Sequence, residues 1–296
     1  MAVNISGLAT ETRNERTKEL DLLSVREILE IMNDEDLNVI AAVKKAIPDV
    51  EKLINETAKA YNNGGRIIYI GAGTSGRLGL MDAVEVVPTF NSDRFVGLIA
   101  GGDNAFVKAV EGAEDSKELC VEDLKRLELN DKDFVIGVAA SGRTPYVIGG
   151  LDYAREIGCK TGCVCCNTNT EIAKHCDYPI EMNAGPEVVM GSTRLKSGTC
   201  QKIVLNMIST VTMIKVGKVF GNLMVDVRAT NEKLVERCRH IVMEATGCEY
   251  SRADEVLKET NNDCKLAIIM ILLNTDIDTA KKKWDDANGV IRKALG

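Results

Sequence analysis

A stretch of glycines and hydroxyl residues follows a short apolar run and has the composition of a binding loop. The apolar run covers residues 67–70, and five residues end it abruptly: Gly71, Gly73, Thr74, Ser75 and Gly76. This pattern predicts a buried parallel strand, a tight loop and the start of a helix. Backbone N–H groups, hydroxyls and the positive end of a helix dipole would meet there, which suits a phosphate or another small anion.

A second loop of the same kind follows a later apolar run. Ser141-Gly-Arg143 repeats the tripeptide Ser75-Gly-Arg77 at the end of the third predicted strand, where the chain again leads into a helix. Ser141, Thr144 and the N–H groups around Gly142 would donate to the same ligand or to a neighbouring group of it. The alternative is an ordinary helix N-cap.

A third polar stretch, residues 185–202, comes just before a very apolar predicted helix. It contains several polar and charged side chains: Glu187, Ser192, Thr193, Arg194 and Lys196. Arg194 and Lys196 would supply positive charge that the overall composition lacks. The alternative is a capped helix start with a solvated face.

The first loop matches neither of two nucleotide-binding motifs completely. Its glycine spacing matches the dinucleotide fingerprint, but that fingerprint also needs an acidic residue at the end of the next strand, roughly 20 residues on. Pro88 and Thr89 occupy that region instead. No Gly-Lys-Ser/Thr follows the loop, which excludes a P-loop. The paired hydroxyls Thr74 and Ser75 therefore favour a single phosphate over NAD.

Strand and helix patterns alternate through the middle of the chain. Further strands are predicted at residues 95–100, 134–139, 162–166 and 178–182, and helices at 77–86, 105–112, 116–127 and 145–157. This alternation predicts a three-layer αβα domain with a parallel sheet of about five strands. In such sheets ligands bind at the carboxyl ends of the strands, where both glycine-containing loops would lie.

Helical patterns flank this domain. The N-terminal side shows three helical runs, at 25–32, 37–47 and 50–61, with Pro48 opening the third. Beyond residue 197 the pattern is helical throughout, with helices predicted at 199–217, 231–246, 251–260, 263–273 and 279–295. We therefore expect an N-terminal helical segment at 1–54, a phosphate-binding domain at 55–220 and a helical bundle at 221–296.

Composition limits the possible partners and location. A net charge of −7 over 296 residues and a pI near 5.2 argue against a nucleic-acid binder. The N-terminus shows no signal-peptide pattern, and the longest apolar stretch, about residues 266–273, is too short to span a membrane. We therefore expect a cytoplasmic protein that does not contact membranes, with its ten cysteines reduced.

The cysteines raise the question of a metal site. Four of them cluster between residues 159 and 166: Cys159, Cys163, Cys165 and Cys166. No Cys-x-x-Cys pair is matched by a second pair or by nearby histidines, since His175 and His240 are isolated. The sequence therefore predicts core thiols and no bound metal.

Three separate stretches together resemble one family. They are residues 71–77 with Asp82-Ala-Val-Glu85, Ala109-Val-Glu-Gly-Ala-Glu-Asp-Ser116, and the Gly185-Pro-Glu187 stretch that runs to residue 202. These resemble the N-acetylmuramic acid 6-phosphate etherases, which are sugar-isomerase-type (SIS) domain proteins related to the glucokinase regulatory protein. The resemblance extends over nearly the whole chain.

The resemblance implies a lyase that needs no metal or organic cofactor. It implies cleavage of the D-lactyl ether at C3 of the sugar phosphate, giving N-acetylglucosamine 6-phosphate and D-lactate. The family pattern places the catalytic carboxylates on Glu85, as the acid on the leaving oxygen, and on Glu114, as the base at C2. In this role assignment Ser75, Ser141 and Thr144 hold the phosphate, with support from Thr74, Gly76 and Gly142, while Glu187 contacts the sugar and Arg194 or Lys196 reads the lactyl carboxylate.

The position of Glu85 raises a geometric problem. It lies ten residues beyond Ser75, or roughly 15 Å along a straight helix. Either a homodimer shares the site between subunits, or the helix ends early near Val86-Val-Pro88.

Two other functions remain open from the sequence. An aldose–ketose phosphosugar isomerase would share proton abstraction at C2 but would need no acid at C3. A phosphosugar-sensing regulator, like the longer glucokinase regulatory protein, would need neither glutamate.

Overall fold

The structure is a computed structural model that describes residues 7–108, 110–227, 229 and 231–296. Ala109, the first residue of the Ala109–Ser116 motif, therefore lies outside the described residues, as do the first six residues of the expected N-terminal segment. The chain forms two compact units. Unit 1 combines residues 1–84 and 94–209, and unit 2 combines residues 85–93 and 210–296.

Unit 1 contains a parallel sheet of five strands, which confirms the predicted fold class. The strands are β1 (Ile67–Gly71), β2 (Phe95–Ile99), β3 (Phe134–Ala139), β4 (Lys160–Cys165) and β5 (Tyr178–Glu181). They lie side by side in the order β2-β1-β3-β4-β5. Every residue of β1 and β3 is buried, as expected for central strands covered on both faces.

Helices pack on both faces of this sheet. They are α1 (Val25–Asn62), α2 (Gly73–Phe90), α3 (Asn104–Val107), α4 (Lys117–Arg126), α5 (Pro145–Ile157) and α6 (Lys196–Lys215). On one face the Tyr69 hydroxyl donates to Asp82 of α2 at 3.0 Å. On the other face Ile68 and Ile70 of β1 form a buried cluster with Leu151 of α5. Alternate residues of β1 thus point to opposite helical layers.

The N-terminal helical runs form one helix instead of three. α1 continues for 38 residues with Pro48 inside it. A proline at this position removes one backbone hydrogen bond and clashes with the preceding turn, at a cost of about 3 kcal/mol. The buried residues repeat at spacings of three and four from Val39 to Tyr61, so the apolar stripe stays in phase across the proline. Packing of that stripe outweighs the local cost.

Three other predicted helices have different limits. α2 begins at Gly73 and continues to Phe90 with Pro88 inside it, so the alternative in which it ends near Val86 is wrong. The helix predicted at 105–112 is reduced to α3, which ends because Lys108 is already in an extended conformation. The helix predicted at 279–295 is interrupted where Asn288 and Gly289 both adopt positive φ.

Unit 2 is a helical bundle. Its helices are α7 (Glu232–Thr246), α8 (Tyr250–Glu259), α9 (Cys264–Leu273), α10 (Ile277–Asp286) and α11 (Ile291–Leu295). α9 is apolar at nearly every position and supplies Ala267, Ile268 and Ile269 to the core. The Asp263 side chain accepts hydrogen bonds from two N–H groups of the first turn of α9, which stabilises a helix with few polar residues of its own.

None of the helices in the described residues could cross a membrane. Each one in residues 7–108, 110–227 and 231–296 is either too short or not apolar enough to do so.

The continuity of α1 leads to a stability prediction. Replacing the exposed Pro48 by Ala returns an N–H group to the helix, so we expect Pro48→Ala to raise the free energy of unfolding by about 1–3 kcal/mol. Urea unfolding followed by circular dichroism measures this change. Lys45→Ala, also on the exposed side of α1, is the control and should change stability by less than about 0.5 kcal/mol. A less stable Pro48→Ala protein would contradict this account.

Candidate active site

The first loop, residues 71–77, is shaped by close backbone packing. A Cβ atom on Gly76 would lie 2.7 Å from the carbonyl oxygen of Gly71, and one on Gly71 would lie 2.9 Å from that of Val138. Gly73 has φ +53°, a conformation that favours glycine. Only glycines therefore allow the start of α2 to approach the ends of β1 and β3 so closely.

The two hydroxyl residues of the first loop differ in accessibility. Ser75 is buried, and its Oγ lies 2.9 Å from Oε1 of Gln201 on α6. Thr74 is half-buried, and the Gly198 backbone of α6 approaches its methyl group. The first loop is thus packed against the start of α6, and Thr74 is the more accessible of its two hydroxyl residues.

The second loop, residues 140–144, lies beside the first because β1 and β3 are neighbours. Gly71 pairs in register with Val138, so both loops leave the same edge of the sheet. Gly142 has φ +72°, and a Cβ atom there would lie 2.3 Å from the Thr170 side chain. Thr144 occupies the N-cap position of α5, but its hydroxyl makes no capping hydrogen bond. The ordinary N-cap alternative therefore does not explain this hydroxyl.

The third polar stretch supplies the cap of α6. Glu187 is fully buried, and its two carboxylate oxygens accept hydrogen bonds from the N–H groups of Lys196 and Ser197, each at 2.9 Å. This is the capped helix start that the sequence left open as an alternative. The expected contact between Glu187 and the sugar stays a prediction.

Lys196 is buried and paired. Its Nζ lies 2.6 Å from Oε2 of Glu35 on α1, and its exposed fraction is 1%. Asn14 and Arg16 also donate to the Glu35 carboxylate. Burial by itself would raise the pKa of Glu35, but the hydrogen bond and charge of Lys196, with those of Asn14 and Arg16, hold it below its usual value. Arg194, in contrast, is exposed and is the more accessible of the two expected readers of a carboxylate.

Sequence reasoning did not identify Glu35, although a signal was present. Glu35 precedes Val39, Ala42 and Ala46 at spacings of four and three on the buried stripe of α1. A carboxylate on an apolar stripe requires a partner. The sequence alone did not indicate that this partner is Lys196.

Glu114 and the first loop line one cavity. The cavity has a volume of about 180 Å³, and its walls include Gly73 and Arg77 from the first loop together with Glu111 and Glu114. Arg77 donates to the carbonyl oxygens of Ala105 and Phe106, which ties α2 to the chain leading to Glu114. The cavity thus brings the Gly73 backbone and the Arg77 side chain next to two carboxylates. It does not by itself distinguish Glu114 from Glu111.

Glu85 is exposed on α2. Because α2 continues past it to Phe90, an early end of the helix does not explain how it would reach the ligand. Glu85 belongs to unit 2 and Glu114 to unit 1. The expected role of Glu85 as an acid stays a prediction.

The clustered cysteines are buried free thiols. Burial raises the pKa of Cys159 to about 12, which keeps this thiol neutral and unreactive. Within the described residues, histidine, cysteine and acidic side chains form no group of three or more that is arranged to hold a metal.

Comparison with known proteins shows the family. The chain is 54% identical over 290 residues to the N-acetylmuramic acid 6-phosphate etherase of Bacillus cytotoxicus, covering 97% of this chain and 99% of that protein. The chain belongs to this family. It is also 55% identical over 295 residues to the etherase of Lactococcus lactis subsp. lactis, covering 99% of each.

Family models and solved structures agree with the fold of unit 1. Residues 49–155 match the N-terminal SIS domain of the glucokinase regulatory protein, and residues 121–211 match the SIS domain. The phosphoheptose isomerase GmhA of Neisseria gonorrhoeae superposes with a TM-score of 0.51 at 14% identity, covering 64% of this chain and 98% of that one. The phosphoheptose isomerase of Francisella tularensis gives a TM-score of 0.50 at 14% identity, covering 65% and 100%. At this identity the two structures show the fold alone.

The buried pair at the start of α6 leads to a second prediction. Lys196→Met leaves the Glu35 carboxylate buried without its closest cation, so we expect a loss of about 3–5 kcal/mol in the free energy of unfolding. Chemical unfolding measures the loss. Arg194→Met removes a nearby exposed cation and should cost less than about 0.5 kcal/mol. Adding Glu35→Gln to Lys196→Met should recover part of the loss, and a double variant no more stable than the single one would contradict the pairing.

Proposed function

We propose that this chain cleaves the D-lactyl ether of N-acetylmuramic acid 6-phosphate by elimination and addition of water, releasing D-lactate and N-acetylglucosamine 6-phosphate. Membership of the etherase family supports the overall reaction. The observation that carries the mechanism is the cavity that joins the first loop to Glu114. It supports a phosphate-binding loop next to a carboxylate base, because Gly73 and Arg77 of the first loop line the same small space as Glu114.

The phosphate is held at the carboxyl edge of the sheet. In this proposal Ser75, Ser141 and Thr144 donate their hydroxyl groups, and the backbone N–H groups around Gly76 and Gly142 complete the shell. The side-by-side arrangement of the two loops supports this assignment. Arg194, which is exposed, reads the lactyl carboxylate, while Glu187 and Lys196 hold the start of α6 and act on the sugar through its position.

Glu114 acts as the base. In the open-chain form of the sugar, the C2 proton lies next to the C1 aldehyde and is acidic enough for a positioned carboxylate to remove. The electron pair of the C2–H bond first moves into an enolate with the C1 carbonyl. The enolate then forms the C2–C3 double bond and restores the carbonyl as the C3–O bond breaks. Glu85 protonates the departing lactyl oxygen. Water then adds to C3 of the conjugated aldehyde and a proton returns to C2, which restores the sugar.

A homodimer would explain how Glu85 reaches the ligand. On α2, the apolar residues Met81 and Val84 are 40% and 59% exposed. Met81 lies one helical turn before Glu85, and Val84 directly precedes it. An exposed apolar pair next to a catalytic carboxylate supports a face that packs against a second subunit. We propose that this packing presents Glu85 of one subunit to the cavity of the other.

The substrate suggests a biological setting. A phosphorylated N-acetylmuramic acid derives from cell-wall sugar, so the reaction belongs to cell-wall recycling. Ten reduced cysteines fit a cytoplasmic protein.

The two glutamate roles can be separated by experiment. We expect both Glu85→Gln and Glu114→Gln to lower kcat for D-lactate release by about 10²–10⁴-fold, because each removes a proton-transfer group. In deuterated water, Glu85→Gln should still exchange the C2 proton, whereas Glu114→Gln should not. Coupled D-lactate detection and proton NMR measure the two steps.

The matched control is Glu111→Gln, because Glu111 lines the same cavity as Glu114. It should retain D-lactate release within about tenfold of the unmodified protein. A larger loss in Glu111→Gln than in Glu114→Gln would reverse the assignment of the base. An isomerase would exchange the C2 proton without releasing D-lactate, and a sensing regulator would do neither, so the unmodified protein also tests the two alternative functions.

The shared site predicts complementation between inactive subunits. Glu85→Gln and Glu114→Gln proteins are each expected to be inactive, but a refolded mixture should recover up to about a quarter of the activity, because mixed dimers contain one intact site. D-lactate release after mixing measures the recovery. Val84→Glu should yield monomers in analytical ultracentrifugation. Absence of recovery from a mixture shown to contain mixed dimers would exclude a shared site.

A further inference from the structure

A buried donor without a partner lies next to the first loop. Gln201 is 0% exposed on α6, and its Nε2 is a buried side-chain nitrogen with no hydrogen-bond partner among the described residues. Its Oε1 lies 2.9 Å from Oγ of Ser75. Buried polar atoms in folded proteins nearly always have a partner, so an exception at a binding loop calls for a functional explanation.

The neighbouring residues hold α6 in place, but they do not fix which end of the Gln201 carboxamide faces Ser75. Glu187 caps the start of α6, Lys196 anchors it to Glu35, and Gly198 packs against Thr74. The oxygen and nitrogen ends of a carboxamide have nearly the same shape, so the amide can present either end to Ser75. With Oε1 towards Ser75, the serine hydroxyl donates its proton to Gln201. With Nε2 towards Ser75, the amide donates, and the serine proton is available to another acceptor.

We propose that Gln201 is a positioning residue that directs the Ser75 hydroxyl proton onto the bound phosphate. In the arrangement that the structure shows, Ser75 donates to Oε1, and Nε2 has no partner among the described residues. When a phosphate occupies the first loop, the amide rotates, Nε2 donates to Ser75 Oγ, and the hydroxyl donates to a phosphate oxygen. A hydrogen bond to a charged acceptor is stronger than one between neutral groups, so the bound anion favours the second arrangement.

This inference rests on the proposed phosphate site, but its test does not require turnover. Binding of inorganic phosphate, measured by isothermal titration calorimetry or phosphorus NMR, reports on the loop directly. Gln201→Met keeps the length and burial of the side chain and removes both amide groups. We expect it to weaken phosphate binding about tenfold and to raise KM for the sugar phosphate by a similar factor, with kcat changed less than about threefold.

A second variant tests the direction of the hydrogen bond. In Gln201→Glu the ionised carboxylate can only accept a hydrogen bond, so the Ser75 hydroxyl keeps donating to it and not to the phosphate. The carboxylate also repels the anion. Phosphate binding should therefore weaken by more than about 100-fold at pH 8. When protonated, the introduced carboxyl donates to Ser75 as Nε2 does, and burial favours this neutral form. The ratio of the variant's phosphate affinity to that of the unmodified protein should therefore recover as the pH falls to 5.5. Cys166, Glu187, Lys196 and Cys200 surround this part of α6 in both proteins, so the ratio cancels their titration.

Ser209→Ala is the matched control. Ser209 is also buried on α6, and it donates a side-chain hydrogen bond to Asp82 instead of to the first loop. Its loss should lower stability without changing the Kd for phosphate. Normal phosphate affinity in folded Gln201→Met would overturn the proposal, and if that variant does not fold, a pH-independent ratio in Gln201→Glu would do so. Phosphate binding that depends on Gln201 without D-lactate release in the unmodified protein would support this inference and refute the proposed reaction.

Discussion

The close packing of Gly71 against Gly76 is the constraint on which the site depends. Because a Cβ atom on either residue would collide with backbone, the first turn of α2 can lie directly against the ends of two central strands only with glycine at both positions. This contact fixes the direction of α2 and the depth of Ser75. It also leaves Thr74 on the accessible side. The polar character of the loop would have little value without this backbone geometry, since the hydroxyl groups would not meet at the sheet edge.

A second set of buried polar groups holds the start of α6, which packs against the first loop. The Glu187 carboxylate caps α6, and the Lys196–Glu35 pair anchors the same turn to α1. Removing charges from water is costly, so these groups stabilise the fold only as a connected set. Their role explains why the third polar stretch contains more charge than a linker needs. Much of that charge is used inside the protein to position a helix.

Much of the fold follows from local sequence patterns. The β1 run, the glycine break after it and the alternation of strands with helices predict the parallel sheet and the position of both loops, because these signals depend on neighbouring residues only. Local patterns do not predict that α1 continues through Pro48 and α2 through Pro88. This continuity depends on tertiary packing, whose free energy exceeds the local cost of proline in a helix. The hydrogen bond between Ser75 and Gln201 joins residues 126 positions apart. No spacing rule in a single sequence could indicate that pair.

Accessibility separates residues that can contact a ligand from residues that can only position others. Glu187, Lys196 and Gln201 are at most 1% exposed, and the hydrogen bonds that their side chains make go to groups of the protein. Thr74, Ser141 and Thr144 are half-buried, and Glu114 is exposed, so these residues can exchange water for substrate. The same types of residue thus occur at two depths, with neutral and charged buried groups fixing the geometry and accessible groups open to solvent. A sequence motif records the types of residue in a stretch, and burial adds which of their side chains solvent reaches and which hold other groups in place.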